Sequence, residues 1–265
     1  MSQIAIIGAG VMGETLVSGL LRAGRQPDDI VIAERREDRA AELTERYGIK
    51  VMDNAEAAGS AGTVVLVVKP QDMAGVLVEI ADHMRPGALV ISLAAGTTTA
   101  FLEERLPAGT AVVRVMPNTP ALVDEGMAAI SPGSSCDEKH LDEAEALMSS
   151  VGRVIRVPEK QQDAVTAISG SGPAYLFFVV ESMIEAGVHL GLPRTTATQL
   201  AVQTAFGSAK LLRETGQHPT VLREQVTSPG GTTAAALREL ESHSVRAAFL
   251  AALEAARDRS EELGS

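Results

Sequence analysis

The first half of the chain alternates short, continuously apolar runs with longer segments whose apolar residues recur every three or four positions. The short runs are typical of parallel strands covered on both faces, and the longer spacing is typical of helices. The runs predict strands at residues 3–7, 30–33, 63–68, 88–93 and 111–116. The segments between them predict helices at residues 11–23, 37–47, 72–84 and 98–106. This alternation predicts an α/β fold with a Rossmann-type, doubly wound sheet.

Two further apolar runs, residues 126–130 and 153–157, are expected to extend the sheet, with a helix at 138–149 between them. After residue 157 the alternation stops, and the remaining segments have helical patterns. These predicted helices cover residues 161–168, 172–190, 194–214, 232–241 and 245–263. The sequence therefore predicts a dinucleotide-binding domain at residues 1–158 and an all-helical domain at residues 159–265.

The predicted helical domain is unusually apolar for its size. Residues 175–180 read Tyr-Leu-Phe-Phe-Val-Val, and a helix that is apolar on most sides is usually buried. A domain of about a hundred residues has little interior in which to bury such helices. We therefore expect this domain to pack against a second subunit, with a tight single-chain bundle as the alternative.

Composition and charge exclude several classes of protein. The 265 residues carry a formal net charge of −11, whereas a nucleic-acid-binding protein needs a basic face. The single cysteine, Cys136, excludes an intrachain disulfide and fits a reducing compartment. No basic segment precedes the first predicted strand, and the apolar run at 64–68 is too short to span a bilayer. We expect a cytoplasmic protein with neither nucleic-acid nor membrane partners.

A glycine motif stands between the first predicted strand and the first predicted helix. In Gly8-x-Gly10-x-x-Gly13, the first glycine permits a tight turn and the second lets the backbone approach a pyrophosphate. The third allows close packing of helix on strand. Because the motif occupies the first strand–helix turn of a βαβ pattern, it predicts a dinucleotide site.

The residues after the second predicted strand bear on which dinucleotide binds. Glu34 lies roughly 20 residues beyond the motif, where an acidic residue binds the ribose 2′-hydroxyl of NAD. Arg35 and Arg36 follow directly and are suited to the 2′-phosphate of NADP. The two indications oppose each other and leave NAD and NADP both open.

Three later turns also follow predicted strands, at residues 69–70, 94–96 and 116–120. Ligands of open parallel sheets bind beyond the carboxyl ends of the strands, which places these turns near the cofactor. Ordinary turn chemistry is the alternative, because Pro, Gly and Asn dominate turns. The stretch at 169–173 (Ser-Gly-Ser-Gly-Pro) is equally consistent with a ligand contact and with a glycine-rich joint.

A second specific segment is Ser228-Pro229-Gly230-Gly231-Thr232-Thr233, before a predicted helix. Its glycines expose backbone amides, and the helix dipole favours a negative charge at this end. The segment predicts a site for a small anion, with a simple helix cap by Thr232 as the alternative. The five histidines show no zinc-ligand spacing, so no metal site is expected.

Taken together, these motifs resemble the Δ1-pyrroline-5-carboxylate reductase family over nearly the whole chain. The resemblance is carried by residues 8–13, 68–70, 95–96, 116–120, 164–166, 169–175 and 226–233. It implies hydride transfer from NAD(P)H to the C=N carbon of a cyclic imine carboxylate, which gives L-proline. It also implies dimers intertwined through the helical domain, often assembled into decamers, with each site shared between subunits. Glu34 departs from the family pattern, since many relatives have a small polar residue there.

The motifs and the resemblance together give the expected site residues. Those expected at the cofactor are Gly8, Gly10, Val11, Met12, Gly13, Glu34, Arg35, Asn54, Val68, Lys69, Pro70, Ala94, Ala95 and Gly96. Those expected at the substrate are Glu159, Ser228, Gly230, Gly231, Thr232 and Thr233. The resemblance assigns the carboxylate to amides around 231–233 and the ring nitrogen to Thr233, the expected catalytic residue. The cofactor it implies is NADPH, with NADH also open.

Two other functions compete with this interpretation. The β-hydroxyacid dehydrogenases share the two-domain plan but carry a catalytic lysine on the helix after the glycine-rich joint, and residues 174–189 contain no lysine. A sensor that binds NAD(P) without catalysis is the second competitor. A six-membered imine homologue is also left open as substrate, because one methylene gives only about 1–3 kcal/mol of discrimination.

Overall fold

The computed structural model describes residues 3–264, and within them the first half of the chain forms an eight-stranded sheet. The strands are β1 (Ile4–Ile7), β2 (Ile30–Ala33), β3 (Lys50–Met52), β4 (Thr63–Leu66), β5 (Leu89–Ser92), β6 (Ala111–Met116), β7 (Gly126–Pro132) and β8 (Gly152–Arg156). Their order across the sheet is 3-2-1-4-5-6-7-8, and neighbours are parallel except for the antiparallel pair β6–β7. The chain thus runs outward from β1 in both directions, which is the topology of a doubly wound sheet.

The described residues also form twelve α-helices. They are α1 (Val11–Arg22), α2 (Glu37–Tyr47), α3 (Asn54–Ser60), α4 (Pro70–Ile80), α5 (Thr99–Glu103), α6 (Glu138–Met148), α7 (Gln162–Val165), α8 (Gly172–His189), α9 (Arg194–Thr215), α10 (Pro219–Gln225), α11 (Thr232–Ser242) and α12 (Val245–Gly264). A π-helical turn at Thr166–Gly170 follows α7 directly.

The sheet is buried on both faces, as its apolar strands require. Alternate residues of a strand point to opposite faces. Accordingly, Ile4 and Ile6 of β1 belong to one buried cluster, and Ala5 and Ile7 belong to another. The predicted α/β fold with a Rossmann-type sheet followed by a helical region is confirmed.

Most predicted elements are present, with shifted ends. Helix α4 begins at Pro70 rather than at 72, because proline suits the first turn of a helix, and it ends at Ile80. The sequence prediction omitted β3, α3 and α10. Strand β3 and helix α3 lie between β2 and β4 in the chain. Their residues line a groove at the end of β2, so the omission concerns part of the candidate site.

The chain divides into two compact units. The first extends to Ser171 and includes the last residues from Ala256, and the second is Gly172–Ala255. The predicted division into domains at residue 158 stays a prediction.

The second unit is helical, and much of its apolar surface lies open. Helices α8 and α9 form a hairpin in which Gly187 packs closely on Ala197, where an added Cβ would lie 2.9 Å from the alanine Cβ. In α8, Phe177 and Phe178 are about 70% exposed. The helical stretch from 159 to 189 is long and apolar enough to span a membrane by length and composition alone.

Candidate active site

The glycine turn after β1 is shaped by backbone contacts that only glycine permits. Gly8 has a φ of +100°, and a Cβ there would lie 2.7 Å from the carbonyl oxygen of Val67. A Cβ on Gly13 would lie 2.1 Å from the carbonyl oxygen of Gly8. Gly10 is the N-cap residue of α1, and no side chain caps the helix. A Cβ added to Gly10 would meet no atom within 4 Å. The turn therefore leaves open backbone at the start of α1.

This geometry fits a dinucleotide pyrophosphate. The first amides of a helix lack partners within the helix, and the dipole favours an anion there. No side chain of the turn covers Gly10, and the neighbouring Val11 is 67% exposed. The predicted cofactor residues Gly8, Gly10, Val11 and Gly13 thus come together around one accessible helix start.

An ion-pair network ties the start of α1 to α2. Arg39 and Arg46 of α2 both bind the carboxylate of Glu14, and the Tyr47 hydroxyl donates to it at 2.9 Å. Burial raises the pKa of Glu14, but the hydrogen bonds from Arg39 and Tyr47 and the nearby positive charge lower it more, so the pKa lies below the ordinary value. Glu14 therefore stays an ionised carboxylate next to the glycine turn, and the two arginines balance its charge.

An open groove lies at the ends of β2 and β3. It is lined by Glu34, Arg35, Val51, Met52, Asp53, Asn54, Glu56 and Glu79. The Glu34 side chain is only 11% exposed, and its carboxylate accepts the Arg36 amide at 2.9 Å. Arg35 is 70% exposed and donates instead to Glu79 of α4 at 2.7 Å. The predicted residues Glu34, Arg35 and Asn54 thus share a groove with Glu79, which the sequence prediction omitted.

A third part of the site is an apolar crevice beyond the ends of the central strands. Its walls are Met12, Val67, Val68, Leu93, Met116, Pro117, Asn118, Thr119 and Gly170. Val68 leads into exposed Lys69 and Pro70 at the start of α4. The carboxyl ends of parallel strands are where such sheets bind ligands, so the crevice is suited to a flat apolar ring.

The turn at residues 94–96 packs closely against the end of α12. Ala94 is buried in the core and Gly96 has a φ of +74°, whereas Ala95 is exposed. A Cβ on Gly96 would lie 3.1 Å from the carbonyl oxygen of Leu263 in α12. Of these three predicted cofactor residues, Ala95 is the one whose side chain is accessible to a ligand.

Glu159 is held by the protein itself. Its carboxylate accepts the Thr99 amide at 2.7 Å and the Thr99 hydroxyl at 2.6 Å. Arg114, which is 6% exposed in β6, donates to it at 3.3 Å and lies 3.8 Å from Asp163. These contacts support a role for Glu159 in fixing Thr99, close to the 94–96 turn. Its predicted contact with substrate stays a prediction.

The glycine-rich stretch at 169–173 contains the boundary between the two compact units. Asn118 donates to the carbonyl oxygen of Ser169 at 3.2 Å and accepts the amide of Met127 at 2.8 Å. The amide of Ser171 is already bonded to Thr166 within the π-helical turn. These contacts are consistent with a joint, and Gly170 also lines the apolar crevice, so both interpretations of this stretch stay open.

The segment before α11 presents an uncapped helix start. Gly231 is the N-cap residue and no side chain caps the helix, so Thr232 does not act as the cap that the alternative required. Gly230 has a φ of +69°, and the amide of Gly231 bonds the carbonyl oxygen of Ser228 at 3.0 Å. The turn thus leaves the amides at the start of α11, beside Thr232 and Thr233, available to an anion.

The sheet and the glycine turn, with the groove and the apolar crevice at the strand ends, are those of a Rossmann-type NAD(P)-dependent oxidoreductase. Residues 3–96 match the family model described as NADP oxidoreductase, coenzyme F420-dependent, and residues 159–263 match the model for pyrroline-5-carboxylate reductase dimerisation. The chain belongs to the pyrroline-5-carboxylate reductase family.

Individual relatives match over the full length. The pyrroline-5-carboxylate reductase of Corynebacterium melassecola is 51% identical over 100% of this chain and 99% of its own. The structure of the Coxiella burnetii enzyme superposes with a TM-score of 0.95 at 40% identity, covering 100% of this chain and 99% of that one. The Plasmodium falciparum enzyme with NADP bound gives a TM-score of 0.89 at 31% identity, covering 100% and 98%.

Proposed function

We propose that this enzyme reduces L-1-pyrroline-5-carboxylate to L-proline with NAD(P)H, the last step of proline biosynthesis. The observation that carries the proposal is the uncapped start of α11 at Gly231, in a chain that also holds the open glycine turn at Gly10. The first suits a small carboxylate and the second suits a dinucleotide. The family relationship at 51% identity joins the two in one reaction.

The substrate carboxylate is bound by the amides around Gly231 and Thr233, with Ser228, Gly230 and Thr232 completing the turn. A carboxylate at this position gains from both the free amides and the helix dipole. Because α11 has no side-chain cap, the substrate does not have to displace an internal partner.

The Thr233 hydroxyl bonds the ring nitrogen and orients the C=N bond. The bound cofactor supplies the hydride. A protonated imine is already electrophilic, so the protein needs no strong acid, and positioning the reactants contributes roughly 7–11 kcal/mol. The hydroxyl adds only about 0.5–1.5 kcal/mol as a net hydrogen bond.

Thr233→Ala is expected to lower kcat/KM by roughly three- to tenfold without abolishing turnover, the range of one net hydrogen bond. Thr233→Ser keeps the hydroxyl and is the matched control, expected to retain most of the activity. Steady-state kinetics with calorimetric measurement of cofactor binding checks the result. Complete loss of turnover in Thr233→Ala, with fold and cofactor binding intact, would show that the hydroxyl does more than orient the ring.

For the cofactor, we propose NADPH, held along the glycine turn, the groove at Glu34 and Arg35, and the crevice from Met12 to Pro117. The Plasmodium relative with NADP bound and the match of residues 3–96 support NADPH. Glu34 near the end of β2 is suited to the ribose diol of NADH. Both cofactors are therefore expected to support turnover.

The helical unit is proposed to form a cytoplasmic homodimer, and dimers to assemble into a decamer. Exposed Phe177 and Phe178, with an apolar groove lined by Tyr175, Val179 and Phe249, give it an apolar surface suited to a second copy. This proposal also accounts for the apolar stretch at 159–189 without a membrane. Light scattering is expected to give a mass of at least two 27.6 kDa chains, and a monomer at micromolar concentration would contradict it.

The two competing functions make different predictions. A β-hydroxyacid dehydrogenase would oxidise a 3-hydroxy acid with NAD, and a sensor would bind cofactor with no coupling to L-proline. Calorimetry of NADP⁺ binding with and without L-proline separates the proposed reductase from the sensor. Coupled binding is the expected result, and full independence of the two ligands favours the sensor.

A further inference from the structure

Glu79 lines the groove at the ends of β2 and β3, and it lies outside the residues proposed to bind the cofactor. Glu79 is on the exposed face of α4, with its side chain 45% exposed. One of its oxygens accepts Arg35 Nη2 at 2.7 Å, and the other accepts Asn54 Nδ2 at 2.5 Å. Glu79 therefore bridges two residues assigned to the cofactor.

The Arg35 guanidinium and the Asn54 side-chain amide, which would meet an adenosine ribose, thus each already donate one hydrogen bond to Glu79. A ribose 2′-phosphate carries about −1.5 to −2 charges near neutral pH, so it needs Arg35 as a partner. A phosphate that binds Arg35 has to share the guanidinium with the Glu79 carboxylate or replace it, and it then lies near both Glu79 and Glu34. A ribose diol is uncharged and pays no such electrostatic cost beside these carboxylates.

The second arginine does not relieve this competition. The Nε of Arg36 lies 3.6 Å from the Glu34 carboxylate, and its backbone amide donates to the same carboxylate. The remaining acidic residues of the groove are Asp53 and Glu56, and Asp53 accepts the amide of Glu56 as the cap of α3. Four carboxylates and one groove-lining arginine therefore surround the expected ribose position.

We propose that Glu79 sets the choice between NADPH and NADH by competing with the ribose 2′-phosphate for Arg35 and Asn54. The inference rests on the proposed binding of a nicotinamide dinucleotide by this unit. Glu79 acts as a specificity-determining residue through Arg35, and it touches neither the hydride nor the imine.

The test is calorimetric binding of NADP⁺ and NAD⁺ to the full-length protein, with Glu79→Gln as the variant. Releasing a partly exposed ion pair and removing one repulsive charge is expected to tighten NADP⁺ binding by roughly three- to tenfold. NAD⁺ binding is expected to change less than NADP⁺ binding. Asp82→Asn removes the same charge from an exposed position just beyond α4 and is expected to change the NADP⁺/NAD⁺ affinity ratio by less than about twofold.

Arg35→Ala supplies the second arm of a double-mutant cycle. With Arg35 absent, Glu79→Gln should have a much smaller effect on NADP⁺ binding, because the competition for the guanidinium no longer exists. An unchanged NADP⁺/NAD⁺ ratio in Glu79→Gln, an equal shift in Asp82→Asn, or an undiminished shift without Arg35 would each overturn the inference. Because the readout is binding, loss of the proposed imine reduction with selective NADP⁺ binding intact would contradict the function and leave this inference standing.

Discussion

Gly13→Ala is expected to weaken NADP⁺ binding by more than tenfold and to destabilise the fold. The new Cβ would lie 2.1 Å from the carbonyl oxygen of Gly8, which is backbone and cannot rotate away. Either α1 moves away from β1 or the glycine turn opens, and overpacking of this kind typically costs about 1–3 kcal/mol. Both movements displace the amides that are proposed to meet the pyrophosphate.

Two alanine substitutions separate the effect on binding from the effect on folding. At Gly10, an added Cβ meets no atom within 4 Å, so Gly10→Ala should fold normally but obstruct close approach of a pyrophosphate. Gly75→Ala adds the same methyl group in open space within α4, so it should leave NADP⁺ binding nearly unchanged and stabilise the fold by about 0.4–1 kcal/mol. Urea unfolding and calorimetric NADP⁺ binding are the measurements. Normal NADP⁺ affinity in both Gly10→Ala and Gly13→Ala would refute the assignment of this turn to the cofactor.

Arg114→Met is expected to lower the free energy of unfolding by about 3 kcal/mol, the lower end of the range for removing one partner of a buried ion pair. The guanidinium lies within the sheet at 6% exposure and faces Glu159 and Asp163. Without it, two carboxylates whose side chains are only 25–29% exposed remain together without this cation. Arg246→Met removes an exposed arginine paired with Glu241 and is expected to change stability by less than about 0.5 kcal/mol.

Arg114→Met should also weaken cofactor binding. Arg114 fixes Glu159, which holds Thr99 through two hydrogen bonds, and Thr99 lies three residues after Gly96. Loosening this chain of contacts frees the 94–96 turn, so NADP⁺ affinity should fall along with stability. If Arg114→Met unfolds at the same urea concentration as the wild type, then the ion pair contributes little to stability and Arg114 does not fix the 94–96 turn through Glu159.

The sequence predicted the central strands because their apolar runs are continuous, as burial on both faces requires. It omitted β3, whose three residues Lys50–Met52 lie at the edge of the sheet and are half-buried or exposed. Helix α3 was omitted because its Ala, Gly and Ser residues give almost no periodic apolar signal. Such elements depend on tertiary packing rather than on local pattern.

The same distinction applies to the candidate site, where a local motif could be predicted from the sequence and contacts between distant residues could not. The Gly8–Gly13 turn was recognisable because its glycines are neighbours in sequence and their spacing reflects local backbone geometry. Glu79 was not recognisable, since its partners Arg35 and Asn54 lie 44 and 25 positions away and meet it only in the folded sheet. In the sequence, Arg114 is an isolated charged residue within an apolar strand. Its partner Glu159 lies 45 positions further on, so the sequence does not show the pair.

Hydride transfer to the C=N carbon of pyrroline-5-carboxylate is the step that defines the proposed reaction. The most direct test incubates the purified protein with this imine and NADPH deuterated at the transferred hydride position, and then analyses the amino acid formed by mass spectrometry. The expected product is L-proline that carries one deuterium on its C5 carbon and forms in step with cofactor oxidation. Folded protein that binds NADPH yet forms no deuterated proline would contradict it.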